Sequence, residues 1–255
     1  MRYTDEPVGG PHKPLVAINI FSVKIASSDV GFPLNVYGTV IARDSIDRKC
    51  IYLFRRDRDH CQLINSEDES LILTGPKRGL TLISDDYVEV DLKIRDHEGQ
   101  DRELSKGVLT IGGIANRRMT KCVIEHGSLA TRLSTMDVMY AVMKRAVEGT
   151  ISVEVLEGEF YGDITAHTTN ITNRLVVNDR KSTAAVTGYG KGVIQLMRPV
   201  VSVYVKDMLV IVALTDDGKE HIIKFTPMLN GWDEDTVTIG DARMHVKVTW
   251  SRMGF

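Results

Sequence analysis

Apolar residues fall at every second position through much of the chain. Val88, Val90, Leu92 and Ile94 alternate with Glu89, Asp91 and Lys93, the pattern of an antiparallel strand with one buried and one wet face. Val16 to Ile25, Leu34 to Ala42, Cys50 to Arg55, Leu71 to Thr74 and Gly79 to Ser84 carry similar β-rich text, divided by polar or glycine-containing turns. Met208 to Leu214 is apolar at consecutive positions before Asp216-Asp217-Gly218, which predicts a strand buried on both faces. Ser134 to Leu156 admits two readings. Good helix formers follow Ser134, and Asp137 could complete a cap. Against that, Val138, Tyr140 and Val142 alternate and run on into Ile151, Val153 and Val155. We read this stretch as a long, bulged strand.

The strand text repeats itself. Tyr37-Gly38-Thr39-Val40-Ile41-Ala42, followed by Ile51-Tyr52-Leu53, returns as Tyr161-Gly162-Asp163-Ile164-Thr165-Ala166, followed by Leu175-Val176-Val177. Leu80 to Asp86 then matches Val201 to Asp207, and Leu109-Thr110-Ile111-Gly112 matches Val237-Thr238-Ile239-Gly240. Ordered, collinear echoes of this kind point to a duplicated unit. The predicted fold class is therefore mainly β, with two tandem antiparallel domains, sandwich-like or barrel-like, arising from an internal duplication. The expected divisions are an N-terminal arm over 1–13, a first domain over 14–126, a linker over 127–133 and a second domain over 134–255.

Composition narrows the setting. The chain has 255 residues, is 43% hydrophobic and carries a net charge of −2. No basic excess points to nucleic acid or an acidic membrane. Three cysteines, Cys50, Cys61 and Cys122, are too few for a disulfide scaffold. With a polar N-terminus, they suggest an intracellular, cytoplasmic protein. No apolar run approaches the roughly 18–20 residues of a membrane helix. Without a secretion signal, the Asn170-Ile171-Thr172 sequon carries little weight.

Several phrases carry a resemblance. They are Ile20-Phe21-Ser22-Val23-Lys24, Pro33-Leu34-Asn35-Val36-Tyr37-Gly38, Ala42-Arg43-Asp44-Ser45-Ile46-Asp47-Arg48, Leu73-Thr74-Gly75-Pro76 and Val246-Lys247-Val248-Thr249-Trp250-Ser251. In this order, over 15–252, the chain resembles an uncharacterised family abundant in grasses. It is also similar to the C-terminal part of jasmonate-induced ribosome-inactivating proteins of cereals. The resemblance implies a plant stress or defence setting. It does not extend to the ribosome-inactivating domain, whose glutamate-and-arginine helix has no counterpart here.

Candidate chemistry is sparse. The densest charge cluster is Arg55-Arg56-Asp57-Arg58-Asp59-His60. Its arginines could hold a phosphate or carboxylate bidentately, although mixed signs also suit a plain solvated strand end. Trp232, in Gly231-Trp232-Asp233-Glu234-Asp235, suits either a lid over a core edge or an exposed contact residue. Trp250 reads as core. The acids Asp44, Asp47, Asp57 and Asp59, and then Asp96, Glu98 and Asp101, flank two strand connections, but interleaved arginines oppose a calcium site. His60-Cys61 lacks partners at metal-ligand or nucleophile spacing. The glycines of Thr187-Gly188-Tyr189-Gly190-Lys191-Gly192 lack phosphate-loop spacing and a following helix.

The function expected from the sequence is thus a non-catalytic protein-interaction or ligand-binding module. Arg55, Arg56, Arg58, His60 and Trp232 are its surface candidates. No catalytic residue, metal ligand or cofactor is implied, and the partner would be another protein or a second copy. Two alternatives stand beside it: an enzyme or small-ligand binder with a pocket at the domain junction, and an RNA- or ribosome-associated factor suggested by the family context.

Overall fold

The computed structural model describes residues 13–95, 99–114, 121–180, 185–188 and 192–253. Strand accounts for 63% of the described residues and helix for 2%, so the protein is mainly β. Its sheets are antiparallel, and none closes into a barrel. Two compact units emerge. One holds the described residues of 18–76 and 80–142; the other holds those of 13–17, 77–79 and 143–253.

In the first unit, β2 (Leu34–Arg43) lies between β3 (Ile51–Arg56) and β6 (Asp86–Arg95). Strand β7 (Asp101–Ile111) follows β6, and β4 (Gln62–Ile64) also pairs with β2. The other sheet is built on β1 (Leu15–Ser28), which pairs with β5 (Leu80–Thr81) and with β9 (Ser134–Glu157); β8 (Val123–Ala130) pairs with the start of β9. Alternation works as expected. Val36, Val40 and Ala42 of β2, and Val88, Val90, Leu92 and Ile94 of β6, are buried, while Glu89, Asp91 and Lys93 lie on the opposite face.

In the second unit, β11 (Gly162–Thr168) lies between β12 (Leu175–Asn178) and β15 (Leu209–Thr215), and β16 (Glu220–Phe225) follows β15. Its other sheet uses the later half of β9, which pairs with β14 (Val200–Tyr204) and β18 (Ala242–Ser251); β17 (Gly231–Ile239) pairs with β18. A short ribbon joins β10 (Glu159–Phe160) to β13 (Val186–Thr187). Strand β15 is buried on both faces from Leu209 to Ala213, as its unbroken apolar run predicts. Trp250 is core at 1% exposure, its ring lying against Gly149, where a Cβ would meet Cζ3 at 2.9 Å.

The two units share one wiring scheme. The order β3-β2-β6-β7 has its counterpart in β12-β11-β15-β16. Strand β1 between β9 and β5 corresponds to late β9 between β18 and β14, and the β8–β9 hairpin corresponds to β17–β18. Each unit also has a segment that crosses between its sheets. Leu71 N donates to Val23 O and Thr74 N to Leu53 O; likewise Ile194 N donates to Val153 O and Met197 N to Val177 O.

Several expectations are corrected. Leu71 to Thr74 is no strand, because a segment that changes sheets cannot form a continuous ladder. Residues 127–133 are no linker: Gly127 to Ala130 complete β8. The division instead falls inside β9, between Val142 and Met143. A 24-residue strand conceals it, since alternation continues across the change of partners. Arg145, at φ 46°, marks that change, in keeping with a bulged strand. The last repeat match also fails, because Leu109 to Ile111 belong to β7, paired with β6, whereas Val237 to Ile239 belong to β17, paired with β18. Local text cannot specify which strand lies alongside. Residues 1–12 of the expected arm, Asp96 and Glu98 of the acidic loop, and Tyr189 to Lys191 of the glycine run lie outside the described residues.

Candidate functional site

The arginine-rich phrase forms an exposed turn in the first unit: a single 3-10 turn (Arg58–His60) interrupts one edge of the sheet, with β3 before it and β4 after it both paired with β2. Asp57 caps the turn and accepts from Asp59 N at 3.1 Å and His60 N at 3.0 Å. Its Oδ1 also lies 2.7 Å from His60 Nδ1, and that contact holds the Asp57 carboxyl below its ordinary range. Arg58 donates through Nε to Asp101 at 2.8 Å and through a terminal nitrogen to Gly99 O at 2.6 Å. Arg58 therefore ties the turn to the β6–β7 connection. Its ion pair, together with Tyr37, keeps Asp101 ionised below the usual carboxylate range.

Tyr37, 8% exposed beneath this tie, hydrogen-bonds Asp101. Its phenol is pushed up to about 12, first by burial and then by that bond. Arg55 and Arg56 project from the end of β3. The Arg55 guanidinium stacks over the Tyr52 ring at 4.9 Å, and Arg56 reaches His60 O at 3.5 Å. Neither is held by a carboxylate among the described residues. Cys61 Sγ points at Arg58 O, 2.9 Å away. Among the described residues, no group of three or more His, Cys, Asp or Glu side chains could hold a metal ion.

Trp232 belongs to the second unit, so the structure places four of the sequence candidates together and the fifth elsewhere. Its side chain is 56% exposed on β17, and Lys247 Nζ lies 4.6 Å from the ring centroid. It is a surface aromatic, not a lid. On the same strand Asp233 accepts from Glu234 N at 2.9 Å and Asp235 from Thr236 N at 2.8 Å. These carboxylates occupy backbone donors of an edge strand, a known guard against strand addition.

Another polar arrangement escaped sequence reading. Ser45 donates to Asp86 at 2.7 Å and accepts from Ile83 N at 2.9 Å and Ser84 N at 3.0 Å. Asp44, also buried, accepts from Thr81 N at 3.0 Å. Burial, with the nearby Asp44 charge adding to it, raises Asp86 to about 7. The adjoining void between Ile18, Ile20, Ala42, Leu80, Val88 and Ile111 is about 10 Å³, at most one water in size. This is a structural clasp, not a ligand pocket. The second unit repeats it: Thr169 donates to Asp207, which also accepts from Asn170 N at 3.3 Å and Met208 N at 3.0 Å. The aligned Asp86 and Asp207 were visible in the repeat, but their hydroxyl partners lie far away in sequence and gave no signal.

A further buried group lies in the second unit, where Glu148 accepts from Gly79 N at 2.6 Å. Arg78 and Arg198 are buried as well, and desolvation lowers Arg198 to about 10.

No curated protein matches the sequence. Among solved structures, human GIVD cytosolic phospholipase A2 is similar at 8% identity and a TM-score of 0.27, over 93% of this chain and 33% of that one. The same enzyme in complex with methyl gamma-linolenyl fluorophosphonate gives 7% and 0.27, over 94% and 32%. The chain thus spans about a third of that enzyme's length. A model described as a domain of unknown function, DUF6598, matches residues 17–248. By that match, the chain belongs to the DUF6598 family.

Proposed function

We propose that the protein is a non-catalytic interaction module whose arginine-rich turn between β3 and β4 receives an acidic segment of a partner protein. One observation carries the reading. Arg55 and Arg56 stand at the end of β3, the first stacked on Tyr52 at 4.9 Å, while Arg58 is engaged with Asp101 and Gly99 and fixes the turn. Two guanidinium groups so presented lose little freedom on meeting carboxylates. In the second unit the positions that correspond to Arg55 and Arg56 are Asp179 and Arg180, and Arg180 is already paired with Asp163 at 3.6 Å. Shared wiring together with the repeated Tyr-Gly phrases supports reading the two units as products of an internal duplication. The plant stress or defence setting rests on the sequence resemblance alone.

Fluorescence anisotropy with a labelled oligoglutamate peptide tests the reading. Binding should weaken steeply with salt and fall at least about tenfold in the double reversal Arg55→Glu/Arg56→Glu, as expected for lost charged hydrogen bonds. An Arg243→Glu control should leave it unchanged. Absence of binding at low ionic strength would sink the proposal, as would indifference to the reversal. Preferential binding of a labelled RNA oligonucleotide would replace it with a nucleic-acid role.

A further inference from the structure

At one end of the first unit, Arg102, Glu103, Arg132 and Leu133 line a cleft of about 250 Å³. Its walls are built from two connected features. Strand β7 carries a bulge here: the register passes from Leu92↔Ser105 to Lys93↔Glu103, leaving Leu104 as the extra residue. Leu104 turns into the core at 0% exposure, and the bulge sets the direction of Arg102 and Glu103.

The facing wall is the turn between β8 and β9, held by hydroxyl groups. Ser134 Oγ donates to Leu104 O at 3.0 Å, and Thr131 Oγ1 bonds Ser134 O at 2.8 Å and Ser105 Oγ at 3.2 Å. Leu133 O accepts from Asp29 N at 2.9 Å. The backbone presenting Arg132 is thus pinned to β7 and to the end of β1.

The charges in this cleft have no internal outlet. Arg43, Arg58, Arg174, Arg180 and Arg243 all have carboxylate partners, whereas Arg102 and Arg132 make no ion pair or side-chain hydrogen bond among the described residues. Glu103 likewise engages neither of them. A cleft that keeps two guanidinium groups and a carboxylate apart on a pinned frame is suited to a ligand bearing both complementary kinds of group.

We infer that this cleft binds a small phosphate monoester whose neighbouring ammonium or hydroxyl group meets Glu103, with Arg102 and Arg132 taking the phosphate oxygens. Its volume lies just below the usual range of about 300–1,000 Å³ for small-molecule pockets, which favours a ligand of a few carbons over a nucleotide. The site stands apart from the arginine-rich turn and does not rest on the interaction reading.

Chemical-shift titration of the full chain with O-phosphoethanolamine, glycerol 3-phosphate and inorganic phosphate tests it. Saturable shifts should centre on 102–105 and 131–134, with the two organic phosphates binding more tightly than inorganic phosphate. Arg102→Ala and Arg132→Ala should each weaken binding about tenfold or more, given the strength of charge-assisted hydrogen bonds. Glu103→Gln should remove the preference of the organic phosphates over inorganic phosphate. The Arg55→Glu/Arg56→Glu variant should bind all three as the parent does, so failure at one site is distinguishable from failure at the other. No saturable shift up to about 10 mM, a weak-binding limit worth under 3 kcal/mol, would overturn the site. Shifts unaffected by both arginine changes would do the same, and equal binding of all three probes would overturn the role given to Glu103.

Discussion

Strands β6 and β15 hold the same place in the two units, yet one is half wet and the other is dry. The Gly38 position approaches Asp91 O, and Gly162 approaches Leu214 O, which places Asp91 opposite Leu214 in the comparison, Glu89 opposite Val212 and Tyr87 opposite Val210. In the first unit Glu89 and Asp91 carry charge at these outward positions, and Glu89 meets Arg43 Nε at 2.5 Å. In the second, Val210 and Val212 are 2% and 1% exposed. Inward faces are apolar in both. A sandwich needs its inner faces apolar, but its outer faces are free to diverge; shared wiring therefore says little about shared surface.

Exchanging the outer residues tests this most severely. Val212→Glu should cost about 3–5 kcal/mol, as expected for a buried, unpaired carboxylate. The reciprocal Glu89→Val should cost about 1 kcal/mol or less, because it removes a partly exposed ion pair. Denaturant unfolding of both variants would measure the asymmetry, and equal losses would erase the distinction between the strands.

The glycines probe what the units have in common. A Cβ on Gly38 would lie 2.2 Å from Asp91 O, and one on Gly162 would lie 2.3 Å from Leu214 O. Gly38 also sits at φ 117°, a region side chains avoid. Gly38→Ala and Gly162→Ala should each destabilise by about 2–4 kcal/mol through backbone displacement. Thermal unfolding that tolerated either change would break the correspondence.

The hydroxyl–carboxylate clasps differ in their surroundings. Ser45 and Asp86 have Asp44 beside them, whereas Thr169 and Asp207 have Thr168, whose Oγ1 accepts from Ile171 N at 3.1 Å. Asp86 is raised to about 7, above the roughly 3.9 of an unfolded aspartate. The folded state therefore holds a proton that the unfolded state releases between those values. Asp86 contributes most below about pH 4, and its contribution is lost as pH rises through about 7. Asp86→Asn should flatten that slope and raise Tm at pH 8 by a few degrees, on the order expected for about 1 kcal/mol.

The smallest effect belongs to the paired tyrosines. Tyr37 is buried against Asp101, while Tyr161 is 42% exposed. Asp101→Asn should lower the Tyr37 pKa from about 12 without bringing it fully to normal, since burial is the larger cause. Spectrophotometric titration would follow it, and stability should change by under about 1 kcal/mol, as for other exposed ion pairs.

Alternation along Tyr87 to Ile94, the dry run at Leu209 to Ala213 and the unbroken strand from Ser134 are all legible in the sequence, because burial periodicity is a local property. The Tyr-Gly echo marked positions where a neighbouring carbonyl permits only glycine. Arg55, Arg56, Arg58 and His60 stood out as a charge cluster, and adjacency in the chain guaranteed their proximity in space. The cleft of Arg102 and Arg132 was not legible, since its residues come from a strand and a distant turn, and a bulge sets the direction of Arg102 and Glu103. Nor was the fate of Arg58, whose partner Asp101 lies 43 residues away.

By itself, then, the sequence determined the mainly β class, the inward faces of most strands and the repeated glycine framework. These follow from side-chain period and local sterics. Only the tertiary structure decided where one unit ends inside β9, which strands lie side by side, and which charges are left for a ligand. Those outcomes depend on pairing between distant segments, and strand text that suits one partner suits many.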